Sequence, residues 1–230
     1  QESILKKIAK FEGEATCVIN STQSVLNTYR YRLIPLWKKD KVVQPESELV
    51  PTTLEAKDFH AIAYPLWMKR GDVHNTQKGD VVLVQNEQEL STALKGLLDR
   101  GVPQAALQKH IDGDLVKFYG IGSAPQLTWF KWFYHKGQNL KGTPFNEYKL
   151  KILVEAAAKS LGVEVFGGDA VISNDGNIFL IDMNAWPSFA LFREEASKKI
   201  AQHLASRISK GEKGTVPLGT VPFSPPSHPL

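Results

Sequence analysis

The sequence has one cysteine in 230 residues, Cys17, so no disulfide can close within the chain. It lies in the strand-like run Ala15-Thr-Cys-Val-Ile19, where a buried, inert thiol is the expected role. No apolar run approaches the roughly 18 residues of a membrane span and no secretory leader is visible, so a cytoplasmic protein off the membrane is expected. A Walker-type Gly-Lys-Ser/Thr step is lacking, and so is any internal repeat. A large charge of one sign is lacking too. The net charge of +4 is too mild to mark a nucleic-acid binder, but it suits an anionic ligand. An initial Met is missing, which gives the expectation of a fragment or trimmed chain and leaves open a domain before Gln1. What remains is ordinary for a globular protein, 42% hydrophobic and 23% charged, enough for a core in one larger domain or two small lobes.

The most informative stretch runs from Val165 to Ser188. Two apolar runs flank Ser173-Asn-Asp-Gly-Asn177, and an Asp-Gly step between β-rich runs signals a hairpin. Asp182 and Asn184 sit two apart on the second arm and so share a face; Asp169 lies inside the first arm. A bare carboxylate in a strand that otherwise reads as core is costly unless it is paired or bound to a cation. Two readings follow. The acids are bridged to a nearby Arg, or Asp169, Asp182 and Asn184 together hold Mg²⁺, which favours hard oxygen ligands.

Along the chain, the spacing predicts a helix over residues 2–11, a short strand from Thr16 to Ile19, and a second helix from about Ser21 through Arg32. Segment 38–53 is polar and Pro-containing and reads as a connection. A strand over Ala61–Met68 leads into Lys69-Arg-Gly71, a polar loop with His74 and Lys78-Gly79, and a strand Val81–Val84. Glycines with cations make such a loop a candidate phosphate cover in which Lys78 and His74 reach a phosphate; taken alone, those two side chains read rather as solvated. A helix over Glu87–Leu98 and two strands, one within 105–111 and one over Leu115–Gly122, come next. Lys117 points inward, to a phosphate or to Asp169. The aromatic stretch Pro125–His135 reads as a strand packed on a core, with Lys131, His135 and Lys136 available to an acceptor; single-stranded nucleic acid is the lesser reading. Asn146 caps a helix ending at Leu161 before Gly162, Arg193–Ile208 is a final helix, and residues 210–230 read as a Pro/Gly-rich tail.

Gly-Gly-Asp169, a hairpin, then Ile-Asp182-Met-Asn184-Ala-Trp-Pro187 resembles the metal-binding hairpin of ATP-grasp enzymes. The resemblance covers roughly residues 16–208. It implies an α+β fold in which two lobes with antiparallel sheets clasp ATP. It divides the chain into N-terminal helices and linker (1–56), a small lobe (57–107), a large lobe with the metal hairpin (108–209) and the tail. It further implies that Lys69 and Lys117 contact nucleotide phosphates and that the backbone of Gln108, Lys109, His110 and Ile111 forms the adenine-reading hinge. Arg32 is the candidate for a cation that ligases of this kind carry as Lys on the preceding helix, where this chain has Tyr29-Arg-Tyr-Arg32.

ATP and Mg²⁺ are therefore the implied cofactors, with Asp169, Asp182 and Asn184 on the metal and Lys117 and Lys131 as candidate catalytic cations. The partner would be an anionic small-molecule or peptide acceptor, and a homodimer is allowed. The commoner chemistry of the family predicts a carboxylate–amine ligase working through an acyl phosphate. Asp182-Met-Asn184-Ala-Trp-Pro187 and Lys117-Phe also resemble the inositol polyphosphate kinases of this fold, which makes kinase the alternative. A non-catalytic nucleotide- or nucleic-acid-binding module is the third reading.

Overall fold

The computed structural model describes residues 2–12, 17–74, 76–123 and 126–209. Within them the chain builds two four-stranded antiparallel sheets. The first is ordered β1 (Ser47–Pro51), β4 (Gln104–Lys109), β2 (Leu66–Arg70), β3 (Val81–Val84). The second is ordered β6 (Trp129–Tyr134), β5 (Gly113–Ile121), β7 (Val165–Ser173), β8 (Ile178–Ala185). Helices cover both. They are α1 (Glu2–Glu12), α2 (Thr22–Asn27), α3 (Arg30–Lys39), α4 (Glu87–Leu98), α5 (Glu147–Leu161) and α6 (Arg193–Ser209).

Local chemistry sets the helix ends. Asn86 and Asn146 accept from the amides of Glu89 and Lys149 at the starts of α4 and α5, satisfying donors that no helical carbonyl reaches. Gly162, at φ 74°, ends α5 in the left-handed conformation that a Cβ disfavours. Apolar spacing then decides which face is buried. Leu90, Leu94 and Leu97 of α4 pack with Leu66, Met68 and Leu107 of the first sheet. Leu150, Val154, Ala157 and Leu161 of α5 pack with Phe118, Ile172, Leu180 and Met183 of the second sheet and with Trp37 of α3. The other face of the second sheet is covered only at one end, where Phe189 and Ala196 meet Tyr119, Ile121 and Trp129. The uncovered end of that face becomes the site.

Several sequence expectations need correction. Residues 17–21 hold no strand, and Ala15 and Thr16 lie outside the described residues, as do Pro125 and the 210–230 tail. The second helix is two, broken at Thr28-Tyr29. The 38–53 connection contains β1, an edge strand where Pro51 has no second neighbour to satisfy. The strand foreseen from Ala61 starts only at Leu66. Cys17 is free and only half-buried.

Candidate active site

The hairpin forms as the sequence predicts. The Ser173 amide donates to the Asn177 carbonyl at 2.9 Å, and Gly176 turns the corner at φ 79°. Antiparallel pairing then lines up one row across the second sheet: Phe133, Lys117, Asp169 and Asp182 are successive cross-strand partners. The next row on that face is Lys131, Tyr119, Gly167 and Asn184. Between the rows and the turn the β7–β8 register shifts, so Ile181 and Asp182 both oppose Asp169. This bulge lets two consecutive residues face the cavity, and it frees the Ile181 carbonyl to lie 3.5 Å from the Lys69 ammonium.

The cavity, of about 800 Å³, is lined from the first sheet by Lys69 and Val81 and from the second by Lys117, Asp169, Asp182 and Asn184. Arg30, His74, His135 and Lys136 add basic groups, and Trp186, Pro187 and Leu191 close one wall. Lys117 Nζ bridges Asp169 Oδ1 at 2.7 Å. Arg30 Nη2 bridges Asp182 Oδ2 at 2.6 Å, with both side chains largely buried. Lys69 donates to Gln108 Oε1 at 2.6 Å.

Charge states follow from these neighbours. Burial, then the nearby Arg30 charge, brings Lys69 down to about 8, although Asp182 and Asp169 pull the other way. Burial pushes the Asp182 carboxyl up, but the charges of Arg30, His74 and Lys69 outweigh it and hold the group below the usual carboxylate range. Burial lowers His74, although the Asp182 carboxylate pulls the other way.

The donor set suits a hard cation in one respect above all. Asn184 Oδ1 is buried and has no hydrogen-bond partner among the described residues, an arrangement that costs free energy unless a ligand satisfies it. Among the described residues, Asp169 keeps one oxygen outside its bridge to Lys117, and Asp182 Oδ1 accepts only the Met183 amide. These three side chains fit one Mg²⁺ whose other ligands are water and phosphate. No group of three or more His, Cys, Asp or Glu is present among the described residues, so an all-protein metal cage is not.

Of the residues singled out from sequence, the fold brings together Lys69, Lys117, Asp169, Asp182 and Asn184. Seven other positions singled out from sequence do not line the cavity. Arg32 donates to the Tyr31 hydroxyl at 3.1 Å and stacks on that ring, outside the cavity. Two residues along a helix is more than half a turn, so Arg30 takes the inner face and Arg32 the outer. Lys78 is exposed, because its loop is folded around Asp80 rather than over the cavity. Gln108 faces Lys69 but is consumed by it and by Ser47. The backbone of Gln108 and Lys109 lies in β4, which pairs on both edges, and the Lys109 amide donates to Glu46; the His110 side chain accepts from the Trp67 indole. None of Gln108, Lys109, His110 or Ile111 lines the cavity. Lys131 lies on the right face but at the end covered by α6, 3.4 Å from Glu195.

Sequence reasoning missed Arg30. It stands at the first position of α3, where the helix dipole disfavours a cation, and it is buried. Its guanidinium answers both penalties with Asp182 and with the carbonyls of Arg70 and Val73.

No protein-family model and no curated protein matches the chain. Solved structures do match. The chain aligns with a D-alanine-D-alanine ligase from Coxiella burnetii at TM-score 0.64 and 12% identity, over 88% of this chain and 64% of that one. It aligns with a D-alanine–D-alanine ligase from Bacillus anthracis at 0.66 and 12%, over 88% and 73%, and with an L-amino acid ligase from Bacillus licheniformis at 0.59 and 17%, over 77% and 45%. The fold is ATP-grasp. The chain spans under two thirds of the length of two of these ligases. In this fold the cavity opens between the two sheets, and the charged row of the second sheet faces Lys69 of the first.

Proposed function

We propose that the chain is an Mg-ATP-dependent ligase that joins a carboxylate to an amine through an acyl phosphate. The observation that carries this reading is the row Lys117, Asp169, Asp182, with the unpartnered Asn184 oxygen beside it, facing a cavity roomy enough for a nucleotide on a fold shared with ligases.

Magnesium, held by Asp169, Asp182 and Asn184, would supply charge neutralisation among phosphate oxygens. Lys69 and Lys117 bind and orient the phosphates, and their positive charge offsets the charge that spreads over the transferred phosphoryl oxygens. An acceptor carboxylate oxygen attacks the γ-phosphorus as the bond to the β–γ bridging oxygen breaks and ADP leaves. The amine nitrogen then attacks the acyl carbon, the C–O bond to phosphate breaks, and the amine loses a proton. His135 and Lys136, at the rim of the same cavity, hold the anionic acceptor in reach. The protein's contribution is placement and charge, so no nucleophilic side chain is required.

A second reading has its own observation. Among the cavity's Asp, Glu, Lys and Arg side chains, Arg30, Lys69, Lys117 and Lys136 outnumber Asp169 and Asp182, an excess suited to a phosphorylated alcohol as acceptor. Incubation with Mg·ATP and a mixed pool of amino acids, short peptides and inositol phosphates, with products identified by mass, separates the two. ADP and phosphate with a condensed product establish ligase. A product heavier by one phosphoryl group establishes kinase. No nucleotide binding overturns both and leaves a non-catalytic module.

A further inference from the structure

We propose that Arg30 is a resident cation of the metal site. It fills, with a guanidinium, the place where a second divalent ion would bind, so the site takes a single Mg²⁺ with its nucleotide. This rests on the nucleotide-binding reading above.

The donor inventory is the first support. Arg30 Nη2 occupies Asp182 Oδ2 at 2.6 Å, Lys117 Nζ occupies Asp169 Oδ1 at 2.7 Å, and the Met183 amide already donates to Asp182 Oδ1 at 3.0 Å. What remains is one oxygen of Asp169, the second lone pair of Asp182 Oδ1 and the free Asn184 Oδ1. Three protein donors are ample for one magnesium that keeps water and phosphate ligands. Bridging two ions with one oxygen each is closed to Asp182, whose Oδ2 side is taken by the Arg30 guanidinium.

The charge balance is the second. Three cations, Arg30, Lys69 and Lys117, already face two carboxylates. One dication arriving with a triphosphate brings its own counter-charge; a second arrives against a positive excess with no free protein carboxylate to receive it.

The third is how firmly Arg30 is held. It is about 5% exposed, it also donates to the carbonyls of Arg70 at 3.1 Å and Val73 at 3.4 Å, and it comes from a helix packed on α5. A side chain fixed by three elements does not swing away when metal arrives. Its Nε has no hydrogen-bond partner among the described residues, so the position is kept for the Asp182 contact rather than for a saturated structural network.

The test counts ions. Free Mn²⁺ is followed by electron paramagnetic resonance during titration of the full chain, with and without a non-hydrolysable ATP analogue whose own binding is measured separately. The expected result is one Mn²⁺ per chain with the analogue and at least tenfold weaker binding without it. Arg30→Met is expected to raise the count to two, or to bring nucleotide-independent Mn²⁺ binding at least tenfold tighter; Arg30→Lys, which keeps the charge, stays near one. Two Mn²⁺ per chain in the unaltered protein overturn the proposal while leaving nucleotide binding standing. An analogue that does not bind overturns the nucleotide reading and the proposal with it. Should Arg30→Met fail to fold, the count in the unaltered protein and in Arg30→Lys still decides.

Discussion

Asp80 and Asp182 are both buried carboxylates held by arginine, yet their surroundings differ in kind. Asp80 receives five donors: the Thr76 amide and hydroxyl, the Gln77 amide, and the guanidinium groups of Arg70 and Arg100. Burial pushes its carboxyl up, but the Thr76, Arg100 and Gln77 hydrogen bonds outweigh that and hold it well below the usual range. Asp182 receives Arg30 and one amide, and the rest of its surroundings is cavity. A saturated buried charge fixes a loop; one left with spare coordination can bind. The difference separates structural from functional ion pairs better than burial does, since both residues are buried.

The sharpest way to break this contrast is Asp80→Ala. It should cost about 3–5 kcal/mol of unfolding free energy by leaving Arg100 without its carboxylate and the Thr76 and Gln77 donors without their acceptor, read from urea melts. A loss under about 1 kcal/mol would mean the loop is not held by this residue. Acid should act the same way. Because the folded group titrates below its unfolded value, its stabilisation is complete above about pH 4 and disappears as pH falls through the folded value.

Asp182→Asn or Asn184→Ala should instead lower Mg-dependent ATP turnover by roughly 100-fold or more. Stability should change by no more than about 2 kcal/mol, because in Asp182→Asn an amide oxygen still accepts from Arg30 and in Asn184→Ala the lost Oδ1 had no hydrogen-bond partner among the described residues. Undiminished turnover in both variants would remove the metal assignment.

Lys69 offers a pH test of intermediate size. The free side chain loses its proton near pH 8, whereas a bound phosphate favours the charged form, so binding takes up a proton above that pH. Nucleotide affinity should then fall by up to about tenfold per pH unit from pH 8 upward, and Lys69→Met should flatten the profile. A slope that survives the substitution assigns it to another group. Stability runs the opposite way: the unfolded Lys binds the proton more tightly, so this residue's contribution rises between pH 8 and its unfolded value near 10.4. The smallest effect belongs to Thr76→Val, which removes one of Asp80's donors and should cost about 1 kcal/mol with turnover unchanged.

Much of the fold was legible because its signals are local. The Asp-Gly turn, the caps at Asn86 and Asn146, the stop at Gly162 and the apolar spacing of α4 and α5 each act within a few residues. Asp182 and Asn184 were legible as one face by alternation and the turn sets Asp169 on the neighbouring arm, whereas the bulge that brings Asp182 opposite Asp169 left no local signal. Arg30 was not legible, because its partner is 152 residues away and two arginines compete on one short helix. The pairing of β4 on both edges was not legible, because Ser47–Pro51 read as connection and its partner lies more than 50 residues on. Lys131 has the right alternation, and only the packing of α6 takes it out of the cavity.

The extra residue in β8 makes chain length, as well as residue identity, a constraint on this site. Counted from the turn in strict alternation, Leu180 points to the core, Ile181 away from it, and Asp182 would point back among Phe118 and α5. Ile181 spends one step without a partner and reverses that parity. Deleting Ile181 should therefore be a shortening the hairpin tolerates: Asp169 still meets Asp182, and only the carbonyl near Lys69 is lost. Deleting Phe179 cancels the same extra step, but it moves Leu180 opposite Val171, off the core face, and sets Ile181 opposite Ala170 in its place. Two deletions of one residue, two positions apart, thus keep the same carboxylate opposite Asp169 and differ in what they do to the core beneath it.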